Sequence, residues 1–175
     1  MINCYQFTGV NMLEHGQMVH QYYLDLLKLL SNEECIYEWD IPENTILLLK
    51  EVRSSVNLPI KMIKDYHIYH DCGKYKSLYY DEAGRKHFPD HAKNSAETWK
   101  HNNGNSIVEH LILNDMYFHI TKPNNVEKFD FWEILLLTAW SEIHANAVMF
   151  GGIDSTSFKI KKKQLVKITN RINCV

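Results

Sequence analysis

The feature that most constrains this chain is the three- and four-residue spacing of its apolar side chains. It is clearest in Met12, Val19, Tyr22, Tyr23, Leu26, Leu27 and Leu30. Such spacing lines one face of a helix, whereas a strand would need alternation at every residue. A helix is therefore expected over residues 11–30, capped by Asn11, with Glu14 as the reciprocal partner of a capping box. The pattern recurs at Ile46, Leu49 and Val56 (helix 43–56), and at Ile60, Ile63, Tyr66 and Tyr69 (helix 59–70, opened by Pro59). Further helices are expected at about 91–101 and 105–119. The strongest covers 128–149, with Phe131, Ile134, Leu135, Thr138 and Val148 turned inward, and a basic one follows at 158–170. Polar residues 32–42 read as a loop, and residues 77–88 as a small hairpin turning at Asp-Glu-Ala-Gly. The expected fold class is all-α, an orthogonal helical bundle with a hairpin insertion, forming a single domain over 1–175.

The bulk numbers exclude more than they select. With 175 residues the chain buries one core without staples. Its 19 basic and 21 acidic side chains leave a formal charge of −2, so no broad attraction to a polyanion is expected. A nucleic-acid contact would need a local patch, such as Lys159 to Lys163 with Lys167 and Arg171, which otherwise reads as a solvated helix face. No apolar run nears the ~20 residues that span a bilayer. No secretory leader is read at the N-terminus, and Cys4, Cys35, Cys72 and Cys174 are scattered without a CxxC pair. The expectation is a reduced, cytoplasmic protein with no membrane partner; a homo-oligomer is left open.

The chemistry is concentrated in Tyr69-His70-Asp71-Cys72-Gly73-Lys74. An adjacent imidazole and carboxylate at a helix end can present two ligands to one ion, and such a mixed set suits Mn, Fe, Ni, Co, Zn or Mg. Gly73 allows a sharp turn immediately after the pair, and Lys74 is near enough to neutralise a phosphate oxygen. The other histidines call for less. His20, His67, His101, His110 and His119 read as ordinary core or surface residues, with His119 and His144 close to the helices of interest.

The string HDxGK at a helix end, with a histidine near the start of the first helix, resembles the HD-domain superfamily of metal-dependent phosphohydrolases. Residues 81–99, DEAGRKHFPDHAKNSAETW, are similar to the segment that follows the His-Asp pair in the HD domain of CCA-adding tRNA nucleotidyltransferases. The resemblance covers roughly residues 11–150 and implies a bundle of the HD type. It implies His15, His70 and Asp71 as metal ligands and His91 as the histidine after the hairpin. The family's last ligand is an Asp in a late helix. AWSEIHA occupies that place here with Glu142, a departure from the pattern, and Asp115 is the competing acid.

The resemblance further implies one or two divalent ions, the second held by His91 and Asp115. In the one-ion arrangement those two residues position a leaving group or pass a proton. Lys74 and Arg85 would face substrate. The implied activity is hydrolysis of a phosphate ester, foremost a nucleotide, by metal-activated water. A phosphatase or cyclic phosphodiesterase on RNA ends, a di-iron oxygenase, and a non-catalytic nucleotide-binding module are the alternatives. Tyr75, Tyr79, Tyr80 and Trp99 are the aromatics available to stack a base.

Overall fold

The capping box at the first helix is present in full. Asn11 Oδ1 accepts the backbone N–H groups of Leu13 at 3.0 Å and Glu14 at 2.9 Å, while Glu14 Oε2 accepts that of Asn11 at 2.9 Å. These bonds satisfy donors that a helix start leaves open. The computed structural model describes Met1, residues 5–7 and residues 9–174. Cys4 lies outside the described residues, and Cys35, Cys72 and Cys174 are free thiols. Helices dominate the described residues, and among these residues no helix is long and apolar enough to cross a membrane.

The chain divides into two compact units, residues 1–18 with 58–116 and residues 19–57 with 117–175. The first unit opens with a ribbon of β1 (Tyr5–Phe7) and β2 (Val10–Asn11), which leads into α1 (Met12–Leu30). α3 (Ile60–Tyr69) ends at the His-Asp pair and is followed by a 3-10 turn over Lys74–Lys76. Next comes the hairpin, β3 (Tyr79–Tyr80) against β4 (Lys86–His87), antiparallel, with Tyr79 opposite His87. Asp81 organises its turn: Oδ1 accepts the N–H groups of Ala83 and Arg85, and Oδ2 meets Arg85 Nε and His87 Nε2. Those partners hold the carboxyl down at about 2. α4 (His91–Asn103) and α5 (Ser106–Leu113) pack together, and α3 packs on α5. Ile63, Tyr66, Ala96, Trp99, Val108, Leu111 and Ile112 form the core of this unit.

The second unit holds residues 19–30 of α1 together with α2 (Glu43–Ser54), α6 (Tyr117–Ile120), α7 (Trp132–Met149) and α8 (Thr156–Ile172). α7 packs on α2, α6 and α8. Every residue from Ile134 to Ala147 is buried, so the inward stripe expected from periodicity is replaced by burial on all sides. Val148, expected inside, is 64% exposed, because it lies just beyond that covered stretch. Ile60 is likewise exposed, at the open first turn of α3. The single helix expected over 105–119 is two. Asn114 turns its side-chain amide back onto the His110 carbonyl at 2.9 Å, and Asp115 is drawn to a tertiary partner described below. α7 starts four residues later than expected, since Phe131 adopts a left-handed conformation with φ of 63°.

His144 is a structural residue of this second unit. Its Nδ1–H donates to the Trp140 carbonyl at 2.8 Å, and Nε2 accepts the Asp40 N–H at 3.2 Å, which fixes a neutral tautomer. Burial lowers its pKa to about 4, against an ordinary value of 6.5. A histidine held neutral contributes stability above its unfolded pKa and loses it as pH falls toward the folded one. Unfolding free energy is therefore expected to fall between about pH 6.5 and 4, with His144 contributing up to ~3 kcal/mol of the loss. Urea titrations at pH 7, 5.5 and 4 check this: His144→Gln flattens the dependence, and an equally steep variant contradicts it.

Candidate metal centre

Two glycines bring the motif together. A Cβ on Gly16 would lie 2.5 Å from the His67 carbonyl oxygen and 2.8 Å from Ile68 Cα. α1 thus rests on the backbone of α3 immediately after His15. A Cβ on Gly73 would lie 2.3 Å from the Asn94 carbonyl carbon and 2.4 Å from Ser95 N. Gly73 has a φ of −97°, which any residue adopts, so it is required for close approach to α4 and not for its turn. Ser95 completes the joint, its Oγ accepting the Gly73 N–H at 2.9 Å while its carbonyl accepts the Cys72 thiol.

The motif converges on the Asp71 carboxylate. Lys74 Nζ lies 2.5 Å from Oδ2, His70 Nε2 3.3 Å, and His15 Nε2 3.9 Å, while His91 Nε2 stands 3.7 Å from Oδ1. His15, His70, Asp71 and Lys74 are buried and His91 is half-buried. Burial alone would push the Asp71 carboxyl up, but His70, Lys74 and His15 hold it well below the usual range.

The histidines are oriented by the backbone. His70 Nδ1 lies 2.7 Å from the His67 carbonyl, and His91 Nδ1 lies 2.9 Å from the Phe88 carbonyl. Carbonyls only accept, so each ring carries its proton on Nδ1 and turns Nε2 toward Asp71. In the neutral ring that atom is a lone pair facing a carboxylate, an arrangement that a cation between them, a proton or a metal ion, reconciles. Donors on one ion, at bonds of about 2.1 Å, stand roughly 3–3.5 Å apart. The His70 gap falls in that range, and the His91 and His15 gaps are slightly wider. Among the described residues, buried Asp71 Oδ1 accepts no hydrogen bond, as suits an oxygen meant for a cation. The donor set therefore fits a divalent ion.

The remaining candidates are placed differently. Asp115 is buried, and its Oδ1 accepts the Tyr66 hydroxyl at 2.6 Å. Tyr66 lies one helical turn before His70 and 6.4 Å from it between ring centres. Arg85 is exposed on the hairpin, its Nε donating to Asp81 at 2.7 Å. Glu142 belongs to the second unit, where its Oε2 lies 2.9 Å from His119 Nε2 and Oε1 accepts the Asn146 amide. His119, read as an ordinary residue, is thus the fixed partner of a candidate ligand. Of the aromatics, Trp99 is buried with its N–H bonded to the Asn105 carbonyl, so it offers no face for a base. Tyr75, Tyr79 and Tyr80 are exposed.

Gly16, Ser95 and Tyr66 were not legible as site-building residues. Tyr66 showed only as an apolar-face residue, and a glycine's need for space at a helix crossing leaves no local signal. Comparison with protein-family models, curated proteins and solved structures finds no match to this chain.

Proposed function

We propose that the chain is a metal-dependent phosphohydrolase of the HD type, acting on a nucleotide phosphate ester. The observation that carries this reading is the aim of His70 and His91: backbone carbonyls hold both Nδ1 atoms and turn both Nε2 atoms toward one buried carboxylate. His15 joins from α1. The resemblance to the HD family implies Glu142 as the last ligand, a carboxylate already positioned by His119.

A bound divalent ion would supply a Lewis acid for a phosphate oxygen and an acidified water. His15, His70 and Asp71 hold it. Lys74 offsets charge on the phosphate as the ester is attacked. His91 and Asp115 are the groups that pass a proton to the leaving oxygen or hold a second ion. Arg85, at the hairpin tip, is the outer contact for substrate.

Metal analysis joined to a substrate screen tests the reading. Purified protein should carry or require a divalent transition metal or magnesium, and should release phosphate from at least one nucleotide, cyclic nucleotide or phosphate-ended RNA. Protein that is indifferent to metal and inert across that panel rules it out. A redox-active iron pair without phosphatase activity would instead mark the oxygenase chemistry.

A further inference from the structure

Asp71 Oδ2 is claimed from two directions. The imidazoles of His15 and His70 face it at 3.9 and 3.3 Å, and the Lys74 ammonium touches it at 2.5 Å. Lys74 is 6% exposed, so its charge is taken out of water and faces this carboxylate directly. Lys74 Nζ also lies over the Phe88 ring, 5.4 Å from its centre. An ion ligated through Oδ2 would meet that ammonium within a few ångströms, where like charges repel strongly in a dry site.

We propose that Lys74 is a tethered counter-cation of Asp71, which competes with a divalent ion for Oδ2 and is released toward substrate only when the ion is taken. This inference rests on the metal-binding reading above and deepens it. The same side chain then has two stations. Seated on Asp71, it balances a buried charge and keeps the three-ring cluster together. Released, it brings its positive charge to the phosphate, so that competence to bind substrate follows from metal uptake. If the ion instead used only Oδ1 on the His91 side, Lys74 would stay where it is.

The test is Mn²⁺ binding to chelator-stripped full-length protein, by calorimetry and by electron paramagnetic resonance, for wild type, Lys74→Met and Lys74→Arg. Lys74→Met is expected to bind Mn²⁺ about tenfold tighter or more, and Lys74→Arg to resemble wild type. Lys74→Met removes a buried partner and is open to misfolding, so the wild-type protein is tested as well. Labelling with an amine-reactive reagent, read by mass spectrometry at Lys74, should rise several-fold when Mn²⁺ is added. Unchanged or weaker Mn²⁺ binding by a folded Lys74→Met overturns the role of Lys74 while leaving the metal reading intact, and so does unchanged or slower labelling of wild type. Absence of Mn²⁺ binding in both wild type and Lys74→Met overturns both.

Discussion

Asp71→Asn is expected to strip the protein of bound divalent metal and to lower phosphate-ester turnover by roughly 1,000-fold. The substitution preserves the shape of the side chain, so the loss reports charge and not packing. His15, His70, His91 and Lys74 all face the Asp71 carboxylate. An amide in its place puts a donor or a neutral oxygen where three imidazoles and an ammonium meet an anion. It also breaks the buried Lys74–Asp71 ion pair, and breaking a buried pair this way costs about 3–5 kcal/mol. Unfolding must be measured beside metal content, so that inactivity in a folded variant can be told from inactivity through collapse. His70→Ala provides the second arm, since it removes a proposed ligand and leaves the Lys74–Asp71 pair in place. Both variants should lose metal and activity. Retention of full metal content and turnover in either would end the assignment.

The second large effect is expected from one methyl group. Gly16→Ala should destabilise the protein by about 3 kcal/mol or more, and Gly73→Ala comparably, because overpacking against a fixed neighbour costs at least the upper end of the usual range. The added carbon at 16 meets the His67 and Ile68 carbonyl oxygens at 2.5 and 2.7 Å, and that at 73 meets the backbone of Asn94 and Ser95. No rotamer change relieves a clash with main chain, so whole helices must shift. Urea unfolding read by circular dichroism measures the loss. Gly16→Ala should also weaken metal binding, since His15 is its neighbour and must move with α1. An unfolding midpoint within error of wild type would show that α1 and α3 approach less closely than described.

The helices were legible because periodic burial is a local signal. Met12, Val19, Tyr22, Tyr23, Leu26 and Leu30 are all buried, as their spacing implies. The capping box was legible for the same reason, being complete within four residues. The break between α5 and α6 was not, because the Tyr66–Asp115 bond joins residues far apart in sequence and overrides a continuous apolar pattern. α7 defeated the one-face reading because a helix enclosed on every side has no stripe to detect. In the site, His70, Asp71 and Lys74 stood out because chemistry and spacing coincide in a short string. His91 could be named, but its orientation depends on the Phe88 carbonyl, which no residue type encodes. The closeness of Gly16 to α3 is a property of two backbones and is silent in either alone.

The connection between α1 and α2 lacks regular structure, yet one side chain fixes its middle. Asp25, 2% exposed, accepts the N–H groups of Ile36 at 2.9 Å and Tyr37 at 3.0 Å and the Trp39 indole at 3.1 Å. One carboxylate thereby does for this stretch what a ladder of main-chain bonds does for a strand. The path is determinate although its outward residues are free to vary: Ile36 faces water and can be exchanged with little consequence, whereas loss of Asp25 would unmoor three residues in one stroke.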